Sequence, residues 1–79
     1  MITMMPGEYI SFLMEERNMT LEDTAKKLNI SEDTLKGFLD GTYKIGVPFA
    51  FKLEQVFYRS AASWLLMQAD YYRHKDNKK

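Results

Sequence analysis

Few side chains in this sequence could make or break bonds. There is no cysteine and a single histidine, His74. A thiolate nucleophile, a disulfide and a thiolate metal site are therefore all excluded, and one imidazole cannot hold a metal alone. Ser60 and Ser63 have no base within foreseeable reach and read as helix-start residues. No glycine-rich loop is present to cradle phosphate, and no carboxylates are paired where a pocket is expected. The chain is expected to be a non-enzyme without cofactor or metal, and its chemistry to be that of binding.

The charges say what could be bound. Net formal charge is zero over 79 residues, but the signs are segregated. Up to residue 40 there are eight acids against four bases, and beyond it seven bases against three acids. Non-specific nucleic-acid affinity comes mainly from basic groups that displace counterions from phosphates, so a neutral chain lacks the usual electrostatic footprint of a DNA binder. Glu8, Glu15, Glu16, Glu22 and Asp23 could instead meet a basic partner surface and speed the encounter. The alternative is that they form only a solvated helix face.

These groups must be positioned by one small core. A chain this short buries roughly 60 to 65% of its unfolded surface. The apolar fraction of 46%, with aromatics spread from Tyr9 to Tyr72, suffices for folding and argues against disorder. No run of about 18 apolar residues could span a membrane, and no leader pattern opens the chain. The absence of cysteine suits a reducing cytoplasm.

Local punctuation predicts five helices and no strand. Pro6 suits a first helical position, and Tyr9, Ile10, Leu13 and Met14 repeat at helical spacing up to about Arg17, with Asn18 as the stop. Thr20, three residues before Asp23, opens a second helix to Leu28 with Ala25 and Leu28 inward. Ser31 caps a third, in which Leu35, Phe38 and Leu39 face the core until Gly41 ends it. A loop from Thr42 to Gly46 leads to Pro48 and a fourth helix with Ala50, Leu53, Val56 and Phe57 inward. Ser60 caps a fifth carrying Trp64, Leu65, Gln68 and Tyr72, and the polar tail from Arg73 is expected to fray. One domain over residues 1–74 with a tail at 75–79 is the expected organisation.

Two short helices joined across Leu28-Asn29-Ile30-Ser31 have helix-turn-helix geometry, with the second helix held proud of the body. Residues 20 to 45 resemble the lambda-repressor-like (XRE family) domain, with Ala25, Leu28, Ile30-Ser31, Leu35, Leu39 and Gly41 at its core and cap positions. The flanks are more specific. Met5-Pro6-Gly7-Glu8 resembles the His-Pro-Gly-Glu opening of HigA-type antitoxins, and Trp64-Leu65-Leu66-Met67-Gln68-Ala69-Asp70-Tyr71 resembles their Trp-Leu-x-Leu-Gln-x-x-Tyr closing segment. The resemblance covers about Met5 to Tyr72.

It implies an all-α, five-helix lambda-repressor-like bundle with its helix-turn-helix at about residues 20–41. It also implies an antitoxin that neutralises a RelE/HigB-like ribonuclease toxin by direct binding and represses the shared operon as a homodimer. The family's base-reading positions fall here on Glu32, Asp33 and Gly37. Carboxylates there can only accept a proton, and glycine reads nothing. Both acids also complement the positive end of the helix they open. Thr20, Ser31, Thr34, Lys36, Thr42, Tyr43 and Lys44 remain as groups suited to phosphates, and so to positioning more than to sequence.

Tyr58 stands where relatives usually place the glycine that ends helix four. Its ring, with Phe49, Phe51, Met67 and Tyr71, exceeds what so small a core obviously needs. These side chains either form a dimer or partner surface, since aromatics and Met are enriched in interface cores, or complete the core. Two further functions stay open beside the antitoxin: a stand-alone dimeric repressor reading a pseudo-palindrome, and a helix-turn-helix interaction module that has lost specific DNA binding.

Overall fold

The computed structural model describes residues 4–76. Five helices follow in order, α1 (Pro6–Glu16), α2 (Leu21–Leu28), α3 (Glu32–Leu39), α4 (Val47–Phe57) and α5 (Ala61–Asp76), and no strand occurs among the described residues.

The helix ends are set by local hydrogen-bond chemistry. Thr20 Oγ1 accepts from the Asp23 amide at 3.0 Å, Ser31 Oγ from the Thr34 amide at 3.1 Å, and Ser60 Oγ from the Ser63 amide at 3.1 Å. Each satisfies one of the donors that a helix N-terminus leaves orphaned. Asn18, Asn29 and Gly41 take positive φ of 54°, 58° and 88° and turn the chain out of α1, α2 and α3. At the far end α5 runs past the expected start of the tail, through Arg73 to Asp76, with Arg73 bridging Asp70 at 3.0 Å and His74 Nδ1 3.0 Å from the Asp70 carbonyl; the rest of the expected tail lies outside the described residues.

The core is drawn from every helix and from the α3–α4 loop. Ile10, Ala25, Leu28, Leu35, Ile45, Ala50, Leu53, Phe57 and Trp64 are buried, with Tyr9, Leu13, Met14, Phe38, Leu39, Val56 and Leu65 packed around them. Thr24 is the buried polar residue of this core, and its hydroxyl donates to the Thr20 carbonyl at 2.8 Å, whereas Trp64 Nε1 and Arg59 Nε are buried without a hydrogen-bond partner. Phe49, read as a possible partner surface, belongs instead to the core: it is 7% exposed and stacks on Phe38 with centroids 3.8 Å apart and an 8° interplanar angle.

Gly7 decides how α1 meets α3. A Cβ built there would lie 2.4 Å from the Phe38 carbonyl oxygen and 2.5 Å from that of Leu39. The first turn of α1 therefore rests directly on the last carbonyls of α3, where the helix ends carry partial charges of opposite sign. Glu8 completes the turn, its carboxylate accepting from the Met5 amide at 3.2 Å. Gly7→Ala should lower stability by about 1–2 kcal/mol in urea unfolding. The displacement of fixed backbone costs roughly 1–3 kcal/mol or more, which exceeds the roughly 1 kcal/mol that Ala gains over Gly in a helix.

Candidate nucleic-acid interface and partner surfaces

The helix-turn-helix places α3 with Leu35 and Gly37 inward and Glu32, Asp33, Lys36 and Asp40 exposed. The exposed edge is thus acidic at its tip. Part of the hydroxyl set there is already engaged. Ser31 caps α3 and donates to Thr34 Oγ1 at 2.8 Å, Thr20 caps α2, and Thr42 donates both its amide (2.8 Å) and its hydroxyl (2.6 Å) to Asp40 Oδ1. Those two bonds hold the Asp40 carboxyl below the ordinary aspartate range, the hydroxyl bond contributing most. Nearby, Lys26 pairs with Glu22 at 3.5 Å on the exposed face of α2, an interaction worth about 0.3–0.5 kcal/mol.

Gly37 does not face outward as a silent read-out position. It is buried beneath the Tyr43 ring, and a Cβ there would lie 2.2 Å from that ring. The Tyr43 amide donates to the Gly37 carbonyl at 3.1 Å, and its ring meets Phe38 edge-on at 5.6 Å. An aromatic plate, 50% exposed, is therefore fixed to the side of α3. The next residue points the other way, with Lys44 Nζ 4.7 Å from the Tyr72 ring centroid on α5. Between these elements stands a clamp: Gln68 Oε1 accepts from the Ile45 amide at 2.6 Å while Nε2 donates to the Ile45 carbonyl at 2.8 Å.

The aromatic set expected on a partner surface divides in two. Phe51 and Tyr58 are exposed at 55% and 83%, joined on the surface by Val47, Leu66 and Phe12. Met67 is half-buried against the core, and Tyr71 is half-buried and packs edge-on against Tyr72 at 5.1 Å. Glu15 and Glu16 are exposed at the end of α1, while Glu8 is exposed but engaged with Met5. Tyr58 carries a left-handed backbone, φ 58° and ψ 29°, at the end of α4. Sequence reasoning missed the roles of Tyr72, Lys75 and Gln68, although Gln68 falls inside the closing motif.

The five-helix arrangement is that of a lambda-repressor-like helix-turn-helix bundle. Solved structures narrow the likeness. The chain is 28% identical to an addiction module antidote protein of the HigA family from Coxiella burnetii, with a TM-score of 0.78 over 90% of this chain and 78% of that one. It shares its fold with a candidate antidote protein of a plasmid maintenance system from Nostoc punctiforme, at TM-score 0.85 and 22% identity over 99% of this chain and 89% of the other. A hypothetical protein from Escherichia coli also shares the fold, at TM-score 0.85 and 20% identity over 98% and 81% of the two chains. No protein-family model and no curated protein matches the sequence. The chain is thus similar to HigA-type antidotes over most of its length, as its opening and closing motifs indicate.

Two measurements check this geometry. Gln68→Leu should lower stability by about 1–3 kcal/mol in urea unfolding, since it leaves the amide and carbonyl of a buried residue unpaired. The Asp40 carboxyl should titrate below an ordinary aspartate by NMR and return toward the ordinary value in Thr42→Val. Its folded-state pKa is lowered, so the stability it adds is present at neutral pH and is lost as pH falls through the acidic end of the carboxylate range.

Proposed function

We propose that this chain is an antidote that binds and neutralises a RelE/HigB-like ribonuclease toxin in the cytoplasm, acting as a homodimer and without catalysis of its own. The observation that carries this reading is the likeness to the HigA-family antidote over 90% of the chain. The charge distribution supports it. An RNA-cleaving partner presents basic groups to phosphates, and Glu15, Glu16, Glu22 and Asp23 on α1 and α2 are all exposed, which favours a steered encounter with such a surface. Among the described residues no helix is long and apolar enough to cross a membrane.

Operator binding is the second part of the proposal. The exposed carboxylates of Glu32 and Asp33 and the covering of Gly37 by Tyr43 leave α3 little with which to read bases. Autorepression by this chain therefore rests on phosphate contacts more than on base recognition.

Tyr58 supplies a discriminating test of the association surface. A non-glycine residue in the left-handed region costs about 1–3 kcal/mol, a strain that marks functional positions, and here it displays an almost fully exposed ring. Tyr58→Gly should raise the melting temperature while weakening self-association or toxin capture, measured by light scattering and by co-purification with the product of the adjacent gene. If wild-type chain neither co-purifies with that product nor restores growth when the two are co-expressed, the antidote reading fails.

A further inference from the structure

The tip of α3 carries two exposed carboxylates where a duplex approaches a helix-turn-helix, so the one lysine of α3, Lys36, stands beside repelling charge and further phosphate contacts must come from other elements. Basic side chains gather at a corner made by the α3–α4 loop and the last turns of α5. Lys44 Nζ lies 4.7 Å from the Tyr72 centroid, and Lys75 Nζ lies 6.0 Å from the centroids of both Tyr71 and Tyr72. Two ammonium groups from different elements thus flank one pair of tyrosines. Arg73 and His74 occupy the same turns but are drawn to Asp70.

This arrangement differs in kind from a salt bridge. A carboxylate partner cancels a lysine's charge, whereas an aromatic face holds the ammonium in place and leaves both its charge and its donors available to an anion. Both lysines are exposed, and the loop that carries one of them is fixed to the helix that carries the other by the Gln68 clamp. The backbones that carry the two lysines are therefore held together. Tyr43, the residue before Lys44, lies on α3 over Gly37, so the same loop joins the corner to the helix-turn-helix.

We propose that Lys44, Tyr72 and Lys75 form a phosphate-contact site through which this protein holds duplex DNA without reading its sequence, with Tyr43 at the α3 edge of the contact. The inference rests on the DNA-binding part of the function proposed above and does not depend on the toxin. A duplex fits better than a single strand. Tyr71 and Tyr72 are half-buried and their rings lie beneath lysines, so they are poor platforms for stacking bases, while the lysine ammonium groups are exposed toward a backbone.

The full chain should be titrated against a short labelled duplex of arbitrary sequence by fluorescence anisotropy across a series of KCl concentrations, beside the corresponding single strand. Wild type should bind the duplex with an affinity that falls with salt. Lys44→Gln with Lys75→Gln should flatten the slope of log K against log salt by about 1.8, at roughly 0.9 for each phosphate no longer neutralised. Lys27→Gln, on α2 and outside the corner, should leave the slope unchanged, and Lys44→Arg should retain it. Duplex binding with an unaltered slope in the double variant would overturn the corner while leaving DNA binding in place. Tighter binding of the single strand would overturn the choice of a duplex. No duplex binding by wild type even at low salt would remove both this site and the operator role, and would leave toxin capture to be judged by co-purification alone.

Discussion

The two hydrogen bonds between the Gln68 carboxamide and the backbone of Ile45 are the constraint on which the α3–α4 loop depends. Ile45 lies in an irregular loop yet is 5% exposed, so its amide and carbonyl leave water without a helix to satisfy them. An unpaired buried group of this kind costs about 1–3 kcal/mol. A primary amide is the one neutral side-chain group that offers a donor and an acceptor side by side, and it pairs with a residue's backbone as a strand would. Once Ile45 is anchored, the residues before it have little choice. Tyr43 lies on α3 above Gly37, and Lys44 faces the opposite way toward Tyr72.

The same reasoning explains why the flanking motifs carried more information than the helix-turn-helix itself. In Met5-Pro6-Gly7-Glu8 the proline starts α1, the missing Cβ of Gly7 admits the carbonyls of α3, and Glu8 closes the turn on Met5. In the closing segment Trp64 is fully buried and Gln68 is the clamp. Each motif thus joins elements distant in sequence, which is where a small bundle is least determined by local preference. Helix ends were legible because capping is local chemistry: Asn18, Thr20, Ser31, Gly41 and Ser60 all stand where their side chains or φ angles demand. The pairing of Phe38 with Phe49, the seating of Tyr43 on Gly37 and the meeting of Lys44 with Tyr72 were not legible. Each depends on how helices pack, and no spacing within one helix encodes it.

Tyr58 shows how a departure from a glycine position is accommodated. A terminal glycine helps a helix end by turning the chain so that its last carbonyls find donors. Here Arg17 supplies donors from α1, reaching the Val56 carbonyl at 3.2 Å and the Phe57 carbonyl at 3.5 Å, with its guanidinium 5.2 Å from the Phe57 ring centroid. A cation at this end also complements the negative pole of α4. The α4–α5 joint is closed from the other side by Glu54, which accepts from the Ala61 amide at 2.8 Å, and by Arg59 lying over the Tyr9 ring at 5.1 Å. The joint is thereby over-determined, and the left-handed tyrosine persists because its neighbours hold it.

Segregated charge gives a neutral molecule an orientation. Net charge sets long-range attraction or repulsion, but at separations of about a Debye length, roughly 8 Å at physiological salt, a partner feels the nearer pole. The acidic groups lie along α1, α2 and the tip of α3, while Lys44 and Lys75 lie where the loop meets α5. A polyanion brought to this surface is repelled by Glu32 and Asp33 and attracted by Lys44 and Lys75, which favours an approach displaced toward α5. A basic protein is turned the opposite way, toward α1 and α2. The charge pattern thus distinguishes an approaching polyanion from an approaching basic protein before any contact forms.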